Sequence, residues 1–341
     1  MKTDMLLALV RAKVEDDTDA FKKITLQIAA QEASAGHARV ADELRILIDK
    51  VQFAKGQRVG RVPTVVPISQ PGGELSTILQ ATYPKDRLRD MVLDERTHRT
   101  LSRILREQRS HHVFASYGLC PRRKFMLVGP PGCGKTSTAK MLAGELSLPL
   151  FVVRLEGLLS RYLGETSARL SVIFDAMKNT VGVYLFDEFD SIGTFRGDTR
   201  DIGEVRRVLS TFLQLIENDE SDSIIVAATN HQHMLDEALF RRFDDVVEFP
   251  LPTHHLLEEF LKKRLEYVVT SDTRISWNKL ASESKGLSYA DMERASGDAL
   301  KTMLMNESNI ITEELLQEAI EERVLILEKI RSNMITPRDN K

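Results

Sequence analysis

The segment GPPGCGKT, Gly129 to Thr136, constrains this chain more than any other. It follows the apolar run Phe125–Val128 and precedes the helix-like stretch Ser137–Leu146. The pattern G-x-x-x-x-G-K-[ST] between a strand and a helix is a phosphate-binding loop. Its glycines let backbone N–H groups curl around phosphate oxygens, and the following helix directs the positive end of its dipole at them. Lys135 reaches the β and γ phosphates of a nucleoside triphosphate, and the Thr136 hydroxyl holds Mg²⁺. Gly129, Pro130, Pro131, Gly132, Cys133, Gly134, Lys135, Thr136 and Ser137 are therefore the candidate nucleotide-binding residues. Cys133 fills a wildcard position and reads as a spectator.

Such a loop needs a sheet behind it. Short apolar runs bounded by turns occur at Phe125–Val128, Leu150–Leu155, Val183–Phe186, Ile224–Ala228 and Val246–Phe249, with helical stretches between most of them. This predicts a parallel α/β sheet. After Pro252 the strands stop, and amphipathic stretches at about 254–269, 276–285, 288–306 and 312–331 predict an all-helical lid subdomain. Residues 1–54 read as a short helix and a helical hairpin turning at Ser34–Gly36, and 55–73 are rich in Gly and Pro. The predicted organisation is an N-terminal helical region over 1–54, a linker over 55–83, an α/β nucleotide-binding subdomain over 84–252 and a helical lid over 253–341.

The strand Val183–Phe186 runs into Asp187-Glu188. Four apolar residues bury the strand and set both carboxylates at the C-terminal edge of the sheet, where open α/β folds bind ligands. Asp187 is expected to act on Mg²⁺ through its water shell, and Glu188 to polarise the attacking water as general base.

Further motifs follow in an order that resembles the AAA branch of the AAA+ ATPases, over roughly residues 84–330. DEFDSIGTFRGD, from Asp187, resembles the second nucleotide motif of that family, and Glu204, Arg206 and Arg207 its helix-borne contacts to a neighbouring subunit. Asn230, after Ala228-Thr229, matches the polar sensor that helps position the water. LDEALFRRFD, from Leu235, is similar to the arginine-finger segment, but without the usual spacer. Arg241 matches the first finger when counted forward and Arg242 the second when counted back, so which one reaches a neighbour's γ-phosphate stays open. Gly286–Met292 resembles the lid motif, with Ala290 where the branch carries a small apolar residue and Tyr289 in place of a usual glycine. Arg294 reads as a solvated helix position. Adenine contacts by resemblance fall in a strand-like segment at Met91 and Val92. The resemblance implies an ATPase that uses ATP and Mg²⁺ and assembles with itself as a hexameric ring.

Ser160–Thr166 resembles the substrate-gripping pore loop, with Tyr162, Leu163 and Gly164 projecting into the channel of the ring. A Tyr-Leu pair grips extended peptide by apolar and aromatic contact, and Gly164 allows the loop to bend. Two uses of ATP are consistent with this: threading and remodelling of a protein substrate, or a nucleotide-switched assembly factor or nucleic-acid loader. The formal net charge of −3 and the absence of a densely basic segment argue against a nucleic-acid surface. No H-E-x-x-H pattern occurs, so proteolysis would come from a separate protease subunit, as in some stand-alone bacterial AAA proteins that the layout resembles. The apolar stretch Met5–Val10 reads as a first helix, not a leader, and no run approaches a bilayer span. Two cysteines make no disulfide framework, so a reducing, cytoplasmic setting and no membrane partner are expected.

Overall fold

A computed structural model describes residues 75–154, 158, 163–192, 201–231, 237–269 and 274–335. All lie in the second of the chain's two units, Val65–Lys341. The helices expected over 1–54, and the Gly- and Pro-rich stretch 55–73, lie outside the described residues.

Six strands form one sheet: β1 Leu79–Thr82, β2 Lys124–Val128, β3 Leu150–Val153, β4 Val183–Phe186, β5 Ile224–Thr229 and β6 Asp245–Glu248, in the order β1-β3-β4-β5-β2-β6. β2 to β6 are parallel. β4 and β5 are buried at every position, as strands covered on both faces must be. The principal helices of this layer are α1 Glu95–Arg109, α2 Lys135–Leu146, α3 Leu163–Asn179 and α4 Asp201–Glu217.

The period-two alternation of a strand divides the core into two. Met126, Val128, Tyr184, Phe186, Ile225 and Ala227 point to one face, where they pack with Leu170 and Phe174 of α3 and Phe212 of α4. Phe125, Leu127, Val183, Leu185, Val226 and Ala228 point to the other, against Leu101 and Ile104 of α1 and Met141 and Leu142 of α2. A third core, including Leu257, Leu261, Leu280, Met292, Ala299 and Ile320, holds the lid helices α5 His254–Leu265, α6 Trp277–Glu283, α7 Tyr289–Met305 and α8 Glu313–Ile335.

The sheet starts earlier than the expected boundary at residue 84. β1, within the stretch assigned to the linker, pairs antiparallel with β3 from Leu79↔Val153 to Thr82↔Leu150. Ile78 and Leu79 are buried in the first core, whereas Gln80 is exposed. A four-residue edge strand with one solvated side carries little apolar periodicity. The strand expected around Met91-Val92 is also absent: Leu88–Asp90 form a single 3₁₀ turn closed by a hydrogen bond from Met91 N–H to Leu88 C=O, 3.1 Å.

Candidate functional site

The parallel strands end on one edge, and the candidate groups come from the ends of β2, β5 and β4, which are neighbours in that order. The loop after β2 turns through Gly129, Gly132 and Gly134, all with positive φ. At Gly132 a β-carbon would collide with Ser288 Oγ and stand 2.8 Å from Ala290 Cβ, so the close approach of the lid requires glycine there. Ala290 N–H donates to Gly132 C=O at 3.2 Å. Met91 Cε lies 3.8 Å from a β-carbon built on Gly134, so this residue stands beside the loop, and Val92 is buried.

α2 opens at Lys135 itself. The Lys135 ammonium is buried and donates to the carbonyls of Gly129, 2.6 Å, and Pro130, 2.8 Å. Burial holds its pKa below the usual lysine value, against the opposing pull of Cys133, Asp187 and Asp190. Burial also pushes the Cys133 thiol up, which disfavours the thiolate an oxidation switch would need. Ser137 is exposed on the first turn of α2.

Thr136 Oγ1 donates to Asp187 Oδ2 at 2.7 Å, bridging the loop to the end of β4. A hydroxyl beside a carboxylate is a hard-oxygen pair of the kind Mg²⁺ takes, with water and phosphate oxygens completing the set. Described residues hold no cluster of three His, Cys, Asp or Glu ligands, and a Mg²⁺ shared with phosphates needs none.

Glu188 follows in the left-handed region, φ 50°, with its N–H donating to Asp187 Oδ1 at 3.0 Å and its side chain exposed. A non-glycine residue there costs roughly 1–2 kcal/mol. Phe189 anchors the turn, fully buried, its ring 4.6 Å from that of Phe212. A 3₁₀ turn over Phe189–Ile192 then brings Asp190 back beneath the strand ends. Asp190, buried, accepts from Thr229 Oγ1 at 2.9 Å and from Asn230 N–H at 3.3 Å. Asp190 thus ties the Asp187-Glu188 turn to Asn230. Sequence reasoning assigned it no role; the signal available was its i+3 spacing from Asp187.

Arg241 and Arg242 sit just past the short helix Glu237–Phe240. Arg241 is exposed, while Arg242 is half-buried with Nε 3.4 Å from Glu217 Oε2. Leu163 and Gly164 are the first residues of α3, inside the helix instead of the loop expected before it, and Tyr162 lies outside the described residues, as do the side chains of Glu204, Arg206 and Arg207. Arg294 is exposed, as a solvated helix position should be. No helix among the described residues is long and apolar enough to cross a membrane.

Residues 125–251 match the family described as ATPase family associated with various cellular activities (AAA). The chain is 33% identical over 304 residues to an uncharacterized AAA family ATPase, y4kL, of Sinorhizobium fredii, covering 89% of this chain and 90% of that protein. It is 30% identical over 278 residues to the ATP-dependent zinc metalloprotease FtsH of Helicobacter felis, 79% of this chain and 43% of the other. With a 26S proteasome regulatory subunit homolog of Methanothermobacter marburgensis it shares 33% over 208 residues, 60% of this chain and 55% of that one. The chain thus spans about half of these last two relatives.

Proposed function

This chain belongs to the AAA family of ATPases and hydrolyses ATP, and we propose that it uses that hydrolysis, at a site shared between subunits of a ring, to thread and remodel a protein substrate. The observation that carries the catalytic half is the 2.7 Å contact between Thr136 and Asp187, with Glu188 next to it at the strand edge. In this reading Lys135 leaves the carbonyls of Gly129 and Pro130 for the β and γ phosphates, and loop N–H groups take the remaining oxygens. Thr136 and Asp187 would hold Mg²⁺, which would neutralise phosphate charge when bound. Glu188 accepts a proton from the attacking water, and Asn230, held by Asp190, orients it. Arg241 or Arg242 of a neighbouring copy meets the developing negative charge.

The remodelling half is supported by Tyr162, Leu163 and Gly164, whose sequence resembles a pore loop although Leu163 and Gly164 open α3, and by two relatives whose names concern proteolysis, a metalloprotease and a proteasome regulatory subunit homolog. No H-E-x-x-H pattern stands in the given sequence, and a separate protease subunit is the proposed partner for any cleavage. The test is Tyr162→Ala, with substrate unfolding and ATP turnover measured in one preparation. Unfolding is lost while turnover continues, and Tyr162→Phe retains both because the grip is apolar. Unfolding by Tyr162→Ala at the parent rate contradicts threading and favours the nucleotide-switched assembly reading.

A further inference from the structure

The lid meets the phosphate loop at Gly132, and the residues that make this contact are tied to the last helix by an ion pair. Ser288 is the N-cap of α7 and forms a reciprocal capping box with Asp291. Asp291 Oδ2 accepts from the Ser288 N–H at 3.1 Å and from its hydroxyl at 2.7 Å. Asp291 Oδ1 accepts both Nε, 3.0 Å, and Nη2, 2.8 Å, of Arg323 on α8. The two side chains are 14% and 19% exposed. One carboxylate therefore serves a helix cap with one oxygen and a guanidinium fork with the other.

We infer that Arg323 is a positioning residue for nucleotide binding: through Asp291 and Ser288 it fixes how the lid rests on Gly132 of the phosphate loop. Nε and Nη2 of Arg323 both pin Oδ1 while Ser288 holds Oδ2, and the two contacts together fix the carboxylate plane. The carboxylate sets the Ser288 hydroxyl, which with Ala290 lies against Gly132. Gly132 is held at φ 76°, so its N–H and C=O directions depend on what presses on it, and Ala290 N–H already fixes the carbonyl. Removing the fork leaves a largely buried carboxylate oxygen without its donors. Asp291 then turns toward other partners, Ser288 follows, and the loop loses its stop. Glu188 stands at the end of β4, outside this route, so binding suffers more than the chemical step. Burial works against the Asp291 carboxylate, but Ser288 and Arg323 outweigh it and hold the group below the usual carboxylate range, which keeps the pair ionised at neutral pH.

The inference rests on the phosphate-loop reading of Gly132, and the experiment separates the two. In the full chain, ATP KM, kcat, affinity for a fluorescent ATP analogue and the melting midpoint without nucleotide are measured for Arg323→Met, Arg323→Lys and Lys135→Ala. Arg323→Met raises KM and the analogue Kd about tenfold, with a smaller change in kcat. Arg323→Lys, which keeps the charge and loses the fork, falls between it and the parent. A lowered melting midpoint with unchanged KM and Kd in Arg323→Met overturns the proposal, because a purely structural pair gives that result. If Arg323→Met does not fold, Arg323→Lys decides alone: raised KM supports the proposal and unchanged KM overturns it. Lys135→Ala abolishes analogue binding if the loop is the site; retained binding there refutes the site reading itself, whatever Arg323 does.

Discussion

Thr136 Oγ1 donates a 2.7 Å hydrogen bond to Asp187 Oδ2, so the residue after the loop lysine and the carboxylate that ends β4 are already in contact across the sheet edge. Asp187→Asn keeps an oxygen toward Thr136 but removes the charge facing the cation. The Mg²⁺ concentration for half-maximal hydrolysis at saturating ATP should rise at least about tenfold. A Mg²⁺ titration of steady-state turnover checks this, and an unchanged midpoint excludes Asp187 from the metal site.

Gly132→Ala tests how tightly the lid rests on the loop. The new methyl group meets Ser288 Oγ, which the capping box prevents from yielding, and Ala290 Cβ at 2.8 Å, on a backbone with φ 76°. Stability should fall by about 1–3 kcal/mol, with a raised ATP KM. Thermal melting and steady-state kinetics on the same variant read both.

The two adjacent arginines separate by their surroundings. Arg242 stands half-buried beside Glu217, whereas Arg241 is exposed. Arg241→Ala should therefore lower turnover more, on the order of 10³-fold, with ATP affinity retained. Specific activity of the parent should rise with protein concentration, and mixing Arg241→Ala with Lys135→Ala chains should recover activity, since each supplies the half the other lacks. Concentration-independent turnover by a monomer would exclude a shared site.

Asp291 links stability to pH. Its folded pKa lies below the ordinary value because Ser288 and Arg323 outweigh burial, so unfolding takes up a proton in the acid range. The contribution is complete above the unfolded-state value, roughly 3.9, and is lost as pH falls through the lower folded value. Asp291→Asn should be destabilised at neutral pH and should show a flatter acid limb in a series of urea melts. An acid limb of unchanged slope would mean that the pair carries no such linkage.

Strands β4 and β5 were legible because they are covered on both faces and so read as the unbroken apolar runs Val183–Phe186 and Ile224–Ala228. β1 was not, since of its four residues only Leu79 is buried and Gly and Pro crowd the residues before it. Met91 and Val92 look strand-like in isolation, yet Leu88–Asp90 turn just before them. The loop, Asp187 and Glu188 could be read from local spacing. Asp190 and Arg323 could not, because their partners are Asn230 with Thr229 and Asp291, brought near only by the folded sheet and lid.

The measurement that bears most directly on the account is ATP binding and turnover by Glu188→Gln. The side chain is exposed beside Asp187 on a left-handed backbone, and the substitution removes its basicity with little change of shape. Calorimetry should give ATP affinity close to that of the parent, while turnover falls by about 10²–10⁴. Near-parental turnover would show that Glu188 is not the general base and that the edge formed by Thr136, Asp187 and Asn230 works in some other way.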